Sequence, residues 1–157
     1  MIRRDVIDAG YNKRPFMDVF PKSTTEAVGG VRYFGRMLDK IRLHDRGQLH
    51  SDYHKNLGHP QAADGAICNF LRVNYDELRK RVVEGGSDEE ILEWCYQKGR
   101  RLNEGDIFVW NNFASKIGWR DWATPTLQRR KKELGIVDRD DIQTMGDLFD
   151  YEEGRRK

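Results

Sequence analysis

Apolar residues recur at helical spacing through most of the chain. Val31, Phe34, Leu38 and Ile41 stand 3, 4 and 3 residues apart, which lays one apolar stripe along a helix. That stripe predicts a helix from about Gly30 to His44, with Gly29-Gly30 at its start and Gly47 past its end. Thr24 to Val28 reads as a lead-in without clear structure. A weaker periodic segment begins at Ala62 and carries Ile67, Phe70 and Leu71. Beyond it the start and stop signals are plain. Asn74-x-x-Glu77 and Ser87-x-x-Glu90 read as capping boxes, closed by Gly85-Gly86 and Gly99. Asn103 caps a helix bearing Ile107, Trp110, Phe113, Ala114 and Ile117, which stops at Gly118. Thr124-Pro125 supplies an N-cap and first helical position, and Gly135 the residue after the end. Asp138 reads as the cap of a last helix through about Glu153.

No Val/Ile/Thr-rich alternating run with a hairpin turn stands out. The pattern therefore predicts an all-α fold, a single compact domain of six or seven helices over residues 23–157. Residues 1–22, broken by Pro15 and Pro21, read as an irregular N-terminal arm. Residues 45–62, punctuated by Gly47, Gly58 and Pro60, read as an irregular loop. There is no internal repeat.

Composition narrows the class further. The chain has 157 residues and a net charge of +2, and 34% of it is charged. That balance gives no global pull toward nucleic acid or an anionic membrane. The longest apolar run is Ile107-Phe108-Val109-Trp110, far short of the ~20 residues a spanning helix needs. Two cysteines without a CxxC spacing argue against a disulfide framework or zinc knuckle. A reducing cytoplasm is the expected location. GxGxxG, GxxxxGK[ST], GxSxG and HExxH are all missing, so the common nucleotide, hydrolase and zincin readings have no support here.

Three segments carry candidate chemistry. Arg36, Asp39, Lys40 and Arg42 follow the first apolar stripe. The bland reading is a solvated face with i,i+3 ion pairs worth about 0.2–0.5 kcal/mol each. The functional one is an anion site, because a guanidinium fork holds a carboxylate or phosphate at two points. The histidines His44, His50, His54 and His59 fall close together, with Asp45, Asp52 and Asp64 among them. His50 and His54 would share a helix face, and imidazole with carboxylate suits a divalent metal. The bland reading is a polar loop. Residues 114–134 join two helices through Gly118-Trp119-Arg120-Asp121-Trp122 and end in Arg129-Arg130-Lys131-Lys132, like a helix-turn-helix. The long connection, the charges on all sides and the acidic segment 138–153 weigh against nucleic-acid binding. Trp119 and Trp122 remain pocket candidates.

Several short motifs point to a family. Gly29-Gly30, Arg36-Met37-Leu38-Asp39-Lys40-x-Arg42, Gly47 and Tyr53-His54 come first. Asp88-Glu89-Glu90-Ile91-Leu92-Glu93-Trp94, Trp110-Asn111 and Phe149-Asp150-Tyr151-x-Glu153-Gly154-Arg155 follow. Together they resemble the bacterial domain of unknown function numbered 5069, from about residue 15 to the end. The resemblance implies a small, mainly helical, cytoplasmic bacterial domain and no particular activity. Of the histidines, only Tyr53-His54 matches the family pattern.

The leading expectation is a small anionic ligand bound where the Arg36–Arg42 helix faces the 45–60 loop. Arg36 and Lys40 would hold the anion and Asp39 would orient them. Tyr53 would donate a hydrogen bond, and His54 would serve as ligand contact and general acid or base. One alternative is a metal-dependent enzyme using His50, His54 and His59, with Asp52 or Asp64. Another is a nucleic-acid or protein interaction module on residues 114–134. No membrane partner is expected.

Overall fold

The computed structural model describes residues 19–157. Most of the arm expected over residues 1–22 lies outside them. The described chain opens with a two-stranded antiparallel hairpin, β1 (Ala27–Val28) and β2 (Val31–Arg32). Helix α1 (Phe34–Asp45) follows, then a 3-10 helix at Ser51–Asn56. Next come α2 (Ala63–Leu71), α3 (Tyr75–Val83), α4 (Asp88–Lys98) and α5 (Glu104–Ala114). Helices α6 (Thr124–Leu134) and α7 (Met145–Glu152) end the chain. The domain is mostly helical, as the periodicity predicts, with seven α-helices among the described residues. None of its helices is long and apolar enough to cross a membrane, among the described residues.

The hairpin is the first departure from the expected pattern. Gly29 and Gly30 do not open a helix. They sit at φ +54° and +82°, as a two-residue turn between right-twisted strands requires. Strands of two residues are too short to show alternation, so the sequence hid them. Val31 of the apolar stripe lies on β2, and Phe34, Leu38 and Ile41 carry the stripe on along α1, all of them buried.

Capping explains most helix starts. Asn74, Ser87 and Asn103 each accept a hydrogen bond from the backbone N–H three residues on, and the last two are reciprocal boxes with Glu90 and Asp106. Helix α5 ends at Ala114, and Ile117 belongs to the turn that follows. At α6 Thr124 is the first helical residue and not the cap. Asp121 organises this entry, its carboxylate accepting the N–H groups of Gly118 and Ala123. Asp138 caps nothing helical. The last helix starts seven residues later, where Thr144 and Asp147 form a box. Residues 136–143 form a loop instead, and the buried Lys131 ammonium holds it by donating to the carbonyls of Arg139 and Ile142.

Two apolar clusters result. The larger gathers Phe34, Met37, Leu38, Ile67, Leu78 and Ile91 with their neighbours from the hairpin to α5. The smaller holds Leu127, Ile136, Ile142, Met145 and Leu148. Burying each such side chain contributes about 1.5–3 kcal/mol.

Replacing Thr144 by Ala is expected to cost about 1 kcal/mol, the usual worth of an N-cap. For a chain of this size that lowers Tm by about 2–4 °C. Asp138→Ala should leave Tm unchanged. Thermal unfolding followed by circular dichroism checks both, and the reverse order would mean that the last helix begins at Asp138.

Candidate functional site

Arg36 and Lys40 lie one turn apart on α1, and both are buried, at 2% and 5% exposure. Neither belongs to a solvated face. The Arg36 guanidinium grips Glu153 at two points, 2.9 and 2.7 Å, and donates to the Lys22 carbonyl at 2.9 Å. Its carbon stands 4.7 Å from the centre of the Phe149 ring. Tyr53 donates its hydroxyl to Glu153 at 2.9 Å, and Arg155 reaches the same carboxylate. Burial pushes the Glu153 carboxyl up, but Arg36, Arg155 and Tyr53 outweigh it and hold it below the ordinary range.

Lys40 has a separate partnership. Its ammonium donates to the Tyr33 hydroxyl at 2.8 Å and pairs with Asp64 at 2.9 Å. Tyr33 in turn donates to the same Asp64 oxygen at 2.5 Å, and the Gly58 N–H donates to the other at 3.1 Å. Asp64 is fully buried. Burial lowers the Lys40 pKa, Asp64 opposes that, and the nearby Arg36 charge lowers it again. Burial and Asp64 together push the Tyr33 phenol well above its usual value. Tyr33 also sits at φ +73° in the left-handed region, which costs a bulky residue about 1–3 kcal/mol. The backbone turns there from β2 into α1, and the strained turn delivers the phenol to Asp64.

A cavity of about 400 Å³ opens between these groups and the smaller cluster. Tyr33, Arg36, Lys40 and Ala63 line it on one side. The 3-10 helix and its continuation contribute Asp52, Tyr53, Lys55, Asn56 and His59. Ile117, Trp122, Ala123, Met145 and Phe149 give it a largely apolar wall. The Trp122 indole N–H donates to the Gln61 carbonyl and so ties that wall to the loop. Arg130 and Glu152, bonded to one another, stand at the edge.

The structure thus brings Arg36, Lys40 and Tyr53 together. Asp39 is elsewhere: it bonds Lys22 and Arg42 and orients neither cation of the cavity. Glu153 and Asp64 take that part. His54 does not line the cavity. Its Nε2 meets the Leu49 carbonyl at 2.9 Å, and its ring packs edge-on to His44 at 4.8 Å. His50 and His59 turn their Nδ1 atoms to local backbone N–H groups of Asp52 and Gln61. Among the described residues no three His, Cys, Asp or Glu side chains converge as metal ligands. Three of the four basic residues in the run on α6 are engaged within the fold, Arg129 with Glu133, Arg130 with Glu152 and Lys131 with loop carbonyls. Glu153, Tyr33, Phe149 and Met145 were not legible as site residues. Glu153 reaches Arg36 across 117 positions, and no local spacing signals such a contact.

These features define a small helical domain with a ligand-sized cleft floored by buried ion pairs. The chain belongs to the family described as Domain of unknown function (DUF5069), whose model matches residues 18–155. No curated protein and no solved structure matches it.

Removing Glu153 leaves Arg36 charged and buried, so Glu153→Gln should cost about 3–5 kcal/mol. Arg36→Met alone should also destabilise. The double variant should lose less than the sum of the two, by about 0.5–3 kcal/mol. Urea unfolding of the four proteins measures this coupling, and strict additivity would show that the two side chains do not act as a pair.

Burial, then His54 and Arg79, hold the His44 imidazole below its ordinary pKa. Its Nδ1 is a buried atom without a hydrogen-bond partner. The unfolded chain therefore takes up this proton first. Stability should fall as pH drops through about 6.5 and level off below the folded value. Denaturation midpoints at pH 7.5 and 5.5 should differ less in His44→Gln. An undiminished difference would clear His44 of the effect.

Proposed function

We propose that the cavity binds a small organic acid with an apolar or aromatic body. One observation carries this reading: two cationic side chains of α1 are buried at the wall of the same ligand-sized cavity. Cations are rarely buried, and strongly perturbed ionisable groups in a cleft mark functional sites. Both already hold a carboxylate of the protein, so the floor is close to neutral. A ligand anion is then recognised by N–H groups left over from those pairs. The Lys40 ammonium has three donors, and two are spent on Tyr33 and Asp64. Arg36 has five and spends three on Glu153 and Lys22. Lys55 adds an exposed positive charge at the rim. The apolar lining of Trp122, Ala123, Met145 and Phe149 suits a flat apolar body.

Titration calorimetry with 3-phenylpropionate and with its neutral amide tests this reading. The acid should bind at least tenfold more tightly, about 1.4 kcal/mol. Ala123→Trp, which fills the cavity from a residue that belongs to neither ion pair, should abolish binding with circular dichroism unchanged. Equal affinity for acid and amide, or indifference to Ala123→Trp, would overturn it.

A further inference from the structure

We propose that Lys40 forms a covalent imine with the carbonyl carbon of a 2-oxo acid held in this cavity. The inference rests on the organic-acid reading above and adds chemistry to it.

The geometry around Lys40 supplies what the step needs. Lys40 lines the cavity, and its side chain is only 6% exposed. Imine formation turns an ammonium into an iminium and releases one water, so no net proton is gained or lost. A nearby group must nevertheless hold a proton while nitrogen attacks. Asp64 stands 2.9 Å from Nζ, fully buried and paired with no other cation among the described residues. It takes a proton from the ammonium, and the freed lone pair forms the C–N bond. A second proton moves from nitrogen to the former carbonyl oxygen, giving a carbinolamine. Asp64 then returns its proton to that hydroxyl, the C–O bond breaks, and water leaves. The resulting iminium keeps the positive charge opposite the Asp64 carboxylate.

The setting favours a reactive amine over a purely structural one. A lysine becomes nucleophilic when it is desolvated and placed beside another cation. Arg36 is one turn away on the same cavity, and burial with that charge lowers the Lys40 pKa. Tyr33 accepts from Lys40 and donates to Asp64, which fixes both, and its backbone is held in a costly conformation to do so. Lys22 and Lys131 are engaged away from the cavity, with Asp39 and Asp88 and with loop carbonyls. The substrate class follows from the two demands together: a carbonyl for the amine and an acid group for the unspent Arg36 and Lys55 donors.

Phenylpyruvate with sodium borohydride tests the proposal on the full chain. Reduction converts the imine to a stable secondary amine, which intact and peptide mass spectrometry locate. The expected result is one adduct on Lys40 of the native protein, suppressed by excess 3-phenylpropionate, which has no ketone. Lys132→Arg, at an exposed lysine that does not line the cavity, should retain the adduct and Lys40→Arg should lose it. Mapping on the native protein keeps the test decisive even if Lys40→Arg does not fold. Calorimetric binding of phenylpyruvate without an adduct at Lys40 would overturn the imine and leave the organic-acid reading standing. Adducts spread over exposed lysines would also overturn it. Neither adduct nor binding would remove both readings.

Discussion

The Arg36 guanidinium is held from two directions inside the protein. Glu153 from the end of the chain binds it in a fork, and the Lys22 carbonyl binds it from ahead of the hairpin. A guanidinium does not give up its proton in a protein, so its burial at this point dictates where a carboxylate must be. That requirement places the C-terminal end of α7 against α1. The Phe113–Trp122 ring stack, the Ser23–Asp150 hydrogen bond and the Trp122–Gln61 bond also join the α6–α7 unit to the rest of the fold. The same carboxylate accepts the Tyr53 hydroxyl, which draws the 3-10 helix to the site. One ion pair therefore sets three boundaries of the cavity.

The second buried pair, Lys40 with Asp64, has a different character. Arg36 is matched by a fork of equal shape, and its charge is permanent. Lys40 shares a single carboxylate oxygen with Tyr33, and burial works against its charge. The floor of the cavity thus combines a fixed cation with a titratable one. Buried ion pairs are a poor source of stability compared with apolar packing. Two of them beside a cleft, one delivered by a strained tyrosine, fit a site for recognising and handling an acid. Trp122 and Phe149 supply the complementary surface, and Phe149 also backs the guanidinium.

Much of the fold was legible because helices announce themselves locally. The stripe through Phe34, Leu38 and Ile41 and the caps at Asn74, Ser87 and Asn103 depend only on neighbours in sequence. The errors have equally local causes. Gly29-Gly30 fits a hairpin turn as well as a helix start, and strands of two residues leave no period to read. Asp138 and Thr144 are both reasonable caps, and the buried Ile142 with the Lys131 staple decides against an early start. At the site, α1 gave up Arg36 and Lys40 because they share a helix face. Tyr53 came from its place on the facing loop. Asp39 and His54 have the right chemistry and neighbouring positions, but a helix turns Asp39 toward Lys22 and Arg42, and the 3-10 turn sends His54 toward His44. Glu153 and Tyr33 join the site only through tertiary contact and a left-handed backbone, neither of which has a sequence period.

In the function proposed above, one cleft, walled by α1, the 45–63 segment and the α6–α7 unit, receives an organic acid. Amide hydrogen exchange with and without saturating 3-phenylpropionate tests it most directly. Added protection is expected in all three segments at once, around residues 33–41, 50–63 and 117–130, with the α5 face at 104–112 unchanged. Unaltered exchange throughout, or protection confined to α5, would contradict it.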